Sequence, residues 1–123
     1  MGKKWGKGTL MANNCRYTGN WFDENPVGPV EITFSSGRYY KGEINEHYEM
    51  HGEGYLKFSG GAHCKGTFVE DKLVEGEMFY ENGEHYVGRF KDNTRHGKGI
   101  YSYRDGRLKS GEWRNNVLIQ SDV

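Results

Sequence analysis

A glycine standing two residues ahead of a large apolar side chain recurs through this chain at Gly19 (Trp21), Gly42 (Ile44), Gly66 (Phe68), Gly88 (Phe90) and Gly111 (Trp113), at intervals of 23, 24, 22 and 23 residues. Two residues before these glycines stand Tyr17, Tyr40, Cys64, Tyr86 and Lys109. A near-constant period of this length restricts the chain to an array in which each unit packs on its neighbours. A second phase of the period precedes the first, as the pairs Gly6/Gly8, Gly28/Val30, Gly52/Gly54, Val74/Gly76 and Gly97/Gly99. Between the two phases lie turn signals, Asn13-Asn14, Ser36-Gly37, Gly60-Gly61, Asn82-Gly83 and Asp105-Gly106, residue pairs that accept the positive φ of tight hairpins. Each unit is expected to run strand, tight turn, strand, loop. Five hairpins, at about residues 4–22, 27–45, 52–69, 74–91 and 97–116, would fill a single domain over residues 1–123 and leave residues 117–123 as a tail.

Successive side chains on a strand point to opposite faces. On the second strand of each unit one face collects Tyr17 with Trp21, Tyr40 with Ile44, Cys64 with Phe68, Tyr86 with Phe90, and Lys109 with Trp113. The first strands add Leu10, Ile32 and Phe34, Leu56 and Phe58, Met78 and Tyr80, Tyr101 and Tyr103. The opposite face carries mostly polar groups such as Lys41, Glu43, Lys65, Thr67, Arg89 and Glu112, with Tyr39, Tyr55, Phe79, Val87 and Ile100 as exceptions. A glycine between two rings on one face leaves bare backbone, which a ring from a neighbouring strand can cover. Repeated every 23 residues or so, this device predicts an all-β fold: an elongated, curved and twisted single-layer antiparallel sheet of ten strands, about 48 Å long at the usual strand spacing.

Composition agrees with that reading. Only 34% of residues are hydrophobic against 28% charged, yet 15% are aromatic, and alanine occurs only at Ala12 and Ala62. Such a chain builds its interior from rings rather than from helix formers. Seventeen basic and seventeen acidic side chains cancel, so no global field draws the protein to nucleic acid. No apolar run approaches the roughly 20 residues of a membrane-spanning helix, and no signal-peptide core follows Met1. The expected location is the cytoplasm, with the periphery of a membrane or the cytoskeleton as variants. Cys15 and Cys64 would lie about four strands apart, on the order of 19 Å, too far to pair.

The segments "YTGNW", "YVGRF", "HGEG" and "HGKG" closely resemble the MORN (membrane occupation and recognition nexus) repeat, whose pattern is tyrosine, any residue, glycine, any residue, Trp or Phe, a loop, then Gly-x-Gly. The resemblance covers about residues 4–116. It departs where Val30 and Val74 replace glycines and where Ile44, Cys64 and Lys109 replace aromatics. The resemblance implies a single-layer elongated antiparallel sheet with an aromatic groove, no catalytic activity of its own, a scaffolding or partner-binding role, and a place in larger assemblies beside kinase or methyltransferase domains. Phosphoinositide binding is also associated with the family.

The residues themselves offer little catalytic chemistry. His47, His51, His63, His85 and His96 are scattered without a paired nucleophile. The His47, Glu49 and His51 spacing is helical in a stretch that reads as loop, so no metal site is expected. "GKG" lacks the Ser/Thr and following helix of a phosphate loop. No cofactor is implied. Binding is the better prospect, because a single layer without helices leaves part of its ring face uncovered, and an exposed apolar patch marks a partner site. The expected site comprises Tyr17, Trp21, Phe34, Tyr40, Phe58, Phe68, Tyr80, Tyr86, Phe90, Tyr101, Tyr103 and Trp113, with Gly19, Gly42, Gly66, Gly88 and Gly111 as structural glycines. Its expected occupant is a peptide or helix of a protein partner. Anionic phospholipid is the alternative partner, helped by Lys3, Lys4 and Lys7 around Trp5. A homodimer through the terminal hairpins is a further option, since Val117, Leu118 and Ile119 could cap the open edge or pair with another copy. Ser121-Asp122-Val123 also has the form of a PDZ ligand.

Overall fold

The computed structural model describes residues 5–22 and 25–122. Lys3, Lys4 and Val123, named above as lipid and PDZ contacts, lie outside the described residues. The strands are β1 (Trp5–Ala12), β2 (Cys15–Phe22), β3 (Asn25–Phe34), β4 (Tyr39–Ile44), β5 (Met50–Lys57), β6 (His63–Val69), β7 (Lys72–Phe79), β8 (His85–Lys91), β9 (Thr94–Ser102), β10 (Leu108–Arg114) and β11 (Val117–Ser121). They form one antiparallel sheet in which spatial order equals chain order from β1 to β11. No helix occurs among the described residues. Every strand pairs with the one that precedes it, so the contacts are local throughout.

Two kinds of connection alternate along most of the meander. The glycine-marked turns at Gly37, Gly61, Gly83 and Gly106 are three-residue loops closed by bonds such as Phe34 N–H to Arg38 O at 3.0 Å, with the glycine at φ between +89° and +109°. That geometry is a turn followed by one left-handed residue. The segments expected to be loops hold the tighter connections: Glu70-Asp71, Asp92-Asn93 and Asn115-Asn116 are two-residue turns with both residues at positive φ, as is Asn13-Asn14. Asn and Asp tolerate this region without glycine. Residues 117–123, expected to be a tail, instead contribute β11, which pairs with β10 through Arg114↔Val117 and Trp113↔Leu118.

The two glycine phases meet in register. Gly42 faces Gly54, which faces Gly66, and the file continues through Gly76, Gly88 and Gly99 to Gly111. On the other side Val30 interrupts the file, facing Gly42, before Gly19 and Gly8 resume it. Register shifts occur beside this file in β2, β4, β6, β8 and β10, between Gly42 and Ile44 and between Gly88 and Phe90 for example. Such bulges bend a strand and increase its twist. They supply a cause for the curvature expected from the sequence. The core lies on one face and runs the length of the sheet, with Tyr17, Val30, Ile32, Tyr40, Leu56, Phe68, Tyr86 and Trp113 all buried.

Candidate functional site: the ring face and its groove

The glycine file explains how a single layer buries rings. Tyr40 on β4 lies across the strand and covers Gly54 of β5, so a methyl group on Gly54 would overlap the phenol. Its hydroxyl donates to the Glu43 carbonyl at 2.7 Å, and its ring meets Phe68 of β6 edge-on at 5.4 Å, above the intervening glycine strand. The arrangement repeats two units on. Tyr86 covers Gly99, donates to the Arg89 carbonyl at 3.1 Å, and meets Trp113 edge-on at 5.6 Å, while the Trp113 indole donates to the Gly99 carbonyl at 3.0 Å. Rings two strands apart thus touch over bare backbone, the edge-to-face geometry that aromatic pairs prefer.

Between these two ring clusters stands Cys64, in the position the tyrosines occupy. A methyl group on Gly76 would first meet the backbone of Lys65 and Gly66, not the phenol that lies over Gly54 and Gly99. A groove of about 630 Å³ opens there, floored by Leu56, Cys64, Phe68 and Leu73 and walled by Phe34, Phe58, Met78 and Phe90. The groove thus lies where the repeat pattern departs from tyrosine. Asp71 and Asn93, from two of the tight turns, and Arg38 complete its rim.

The twelve expected site residues divide evenly. Tyr17, Tyr40, Phe68, Tyr86, Phe90 and Trp113 are buried and hold the sheet together. Trp21, Phe34, Phe58, Tyr80, Tyr101 and Tyr103 are half-buried. Phe34 and Phe58 reach the central groove together with Phe68 and Phe90, whereas Tyr101, Tyr103 and Trp113 line a second, shallower hollow of about 410 Å³ with Arg95, Lys109 and Leu118. Trp21 reaches neither hollow.

Sequence reasoning placed Lys109 on this face but missed its arginines. Arg95 is surrounded by rings, its guanidinium carbon 4.8 Å from the Tyr101 centroid and 5.2 Å from that of Trp113, and it donates to the Tyr80 hydroxyl at 2.9 Å and the Asn116 carbonyl at 2.8 Å. Arg38 lies over Phe34 and Phe58 at 5.2 and 5.4 Å. Arg107 occupies the same repeat position and lies over Tyr103 at 5.1 Å. The available signal was an arginine following the turn glycine, four residues after an aromatic. On the outer face His63, Phe79 and His85 stack at 4.7 and 5.3 Å. Among the described residues no three His, Cys, Asp or Glu side chains are grouped to hold a metal, and Cys15 and Cys64 are free thiols.

Burial controls the titration of this face. It pushes the Tyr86 hydroxyl from 10.0 up to about 12, and Tyr40 rises further for the same reason. The Cys64 thiol goes from 9.0 to about 11, again by burial, against a smaller opposing pull from Arg38. Each group holds its proton more tightly folded than unfolded, so its contribution is complete below the unfolded value and disappears as pH rises through the folded one. Thermal melts are expected to be flat from about pH 7 to 9 and to fall steeply between pH 10 and 12, with Tyr86→Phe showing a shallower fall in that window. Equal slopes for the two proteins would show that Tyr86 does not carry the effect.

Residues 86–106, which run from the ring-over-glycine tyrosine through the Gly97/Gly99 pair to the next turn, match the MORN repeat family model. The chain is a MORN-repeat protein. Relatives match over much more of it: Alsin from Rattus norvegicus and from Homo sapiens are each 31% identical over 113 residues, covering 81% of this chain. Phosphatidylinositol 4-phosphate 5-kinase 1 from Oryza sativa subsp. japonica is 40% identical over 50 residues, covering 37% of this chain and 6% of its own length. The chain spans about 7% of the length of the Alsin relatives, so the likeness is that of a MORN-repeat segment within much longer proteins. Against the repeat pattern, Val30 interrupts the glycine file, and Cys64 replaces a tyrosine where the groove opens.

Proposed function

We propose that this MORN-repeat chain is a non-enzymatic binding module, a scaffold or adaptor that holds a protein segment in the groove over β5 to β8. The observation that carries this reading is the cysteine in a tyrosine's place at Cys64, beside which an apolar floor and aromatic walls stand open in the larger of the two hollows described on this face. A peptide or amphipathic helix laying two or three apolar side chains into it would use the aromatic walls as anchors. The test follows from the repeat itself. Cys64→Tyr supplies the side chain that stands at this position in three other units, over the same glycine file, so the sheet is expected to stay folded while the groove fills. Peptides recovered by display on the wild-type chain should lose at least about tenfold in affinity for Cys64→Tyr and for Phe58→Ala. Unchanged affinity for both variants would remove the groove from consideration.

The likeness to a phosphatidylinositol phosphate kinase over 50 residues supports a second reading, recruitment to an anionic lipid surface. Flotation with phosphoinositide-containing vesicles separates the two, because lipid attachment weakens as salt rises whereas apolar docking does not.

A further inference from the structure

We infer that the segment held in the groove carries a carboxylate among its apolar residues, and that Arg38 is the residue that recognises it. The inference rests on the groove reading above and adds the chemistry of the partner. Arg38 follows the three-residue turn between β3 and β4, where its carbonyl accepts from Phe34 N–H at 3.0 Å. That bond anchors its backbone, and the side chain then lies against Phe34 and Phe58 at the groove wall. Its Nε is buried without a hydrogen-bond partner, and among the described residues no carboxylate forms an ion pair with it. Other cations of the sheet are differently placed. Lys72 pairs with Asp92 at 2.9 Å, Lys98 with Glu112 at 3.7 Å and Arg89 with Glu75 at 3.8 Å. The other guanidinium among rings, Arg95, also has a buried Nε without a partner but gives its terminal nitrogens to Tyr80 and Asn116.

A partly desolvated guanidinium held against rings beside an apolar floor favours an incoming counter-charge, since the alternative is a cation that has lost water and gained only ring faces in return. Its planar fork fits a carboxylate in two-point contact. Asp71 on the rim does not fill this role: its Oδ1 accepts from Met50 N–H at 2.8 Å, and it forms no ion pair with Arg38. A phosphorylated headgroup is the other anion to weigh. It would bring several charges against Leu56, Phe68 and Leu73 and toward Asp71, with one arginine to meet them, so the apolar segment with a single acid is the better match.

Peptide display on the immobilised 123-residue chain tests this, run in parallel on wild type and Arg38→Gln with folding checked by circular dichroism. The wild-type chain is expected to enrich apolar segments containing one Asp or Glu, and Arg38→Gln to enrich apolar segments without that preference. For the best wild-type peptide, an Asp-to-Asn or Glu-to-Gln swap should cost about tenfold or more on wild type and little on Arg38→Gln. Arg38→Lys, which keeps the charge but not the fork, should fall between them and serves if the glutamine variant does not fold. Enriched peptides without an acid, or an equal cost of the swap on both proteins, would overturn the assignment of Arg38 and leave the groove intact. Peptides that bind Cys64→Tyr as well as wild type would overturn the groove reading itself. No enrichment would overturn both, and Arg38-dependent binding to phosphatidylinositol 4,5-bisphosphate vesicles in that case would assign the face to lipid.

Discussion

Gly66→Ala is expected to lower stability by about 2–5 kcal/mol, a large share of what a domain of this size possesses. A Cβ at Gly66 would overlap the Glu75 carbonyl oxygen and press on the Gly76 Cα, both backbone atoms of the paired strand β7. Neither can move without opening the β6–β7 ladder. The residue also sits at φ +152°, a region that glycine enters freely and alanine does not. Two substitutions isolate these causes. Gly106→Ala meets no atom within 4 Å but keeps an unfavourable φ of +92°, so its cost of about 1 kcal/mol measures conformation alone. Gly6→Ala has open space and no positive φ, and should change stability by less than about 0.5 kcal/mol. Thermal and denaturant unfolding of the three variants would therefore rank them 66, 106, 6. A Gly66→Ala protein that melts with Gly6→Ala would show that the glycine file is not closely packed.

Tyr86→Ala should cost about 3–5 kcal/mol, because a fully buried ring leaves a cavity between Phe90 and Trp113. Tyr86→Phe keeps the packing and loses the hydroxyl's bonds to the Arg89 and Lys98 carbonyls, at a cost of about 1 kcal/mol. The more informative experiment combines the ring with its glycine. In the wild-type chain Gly99→Ala drives a methyl group into the Tyr86 phenol. With Tyr86→Ala already made, the same methyl enters the space that the ring vacated. The two changes should thus be strongly sub-additive, with a coupling of about 1–3 kcal/mol. Additive costs would mean that the ring does not rest on the glycine, and the explanation of the repeat would fail with it.

Much of this fold is legible in the sequence. The spacing of Gly42, Gly66, Gly88 and Gly111 places one glycine per unit, and alternation places Tyr40 and Tyr86 on the same face as those glycines. Because strand alternation is a local geometric rule, it transfers directly to the folded sheet. The connections were harder to read. Asp92-Asn93 and Asn115-Asn116 make two-residue turns without glycine, so the segments around them resemble longer loops, and β11 beyond them resembles a tail. An uncovered ring face was expected, but the position of the groove was not legible, for a different reason. It arises from a side chain that is absent, and Cys64 signals room only once the rings of Tyr40 and Tyr86 are known to reach across to the next strand. Arg38 and Arg95 were missed because both stand in segments that read as turn or loop, Arg38 just after Ser36-Gly37 and Arg95 between two expected hairpins, where alternation does not apply. Alternation also takes no account of a long side chain that lays its guanidinium on rings.

Small-angle X-ray scattering tests the underlying architecture most directly. Eleven strands side by side, at the usual 4.8 Å spacing, form a ribbon about 50 Å long that leaves its ring face reachable by a partner. The monomer should give a pair-distance distribution with a tail reaching about 50 Å and a radius of gyration clearly above the roughly 14 Å of a compact 123-residue globule. A symmetric distribution with a radius of gyration near 14 Å would mean that the sheet closes on itself, and the open groove would not exist.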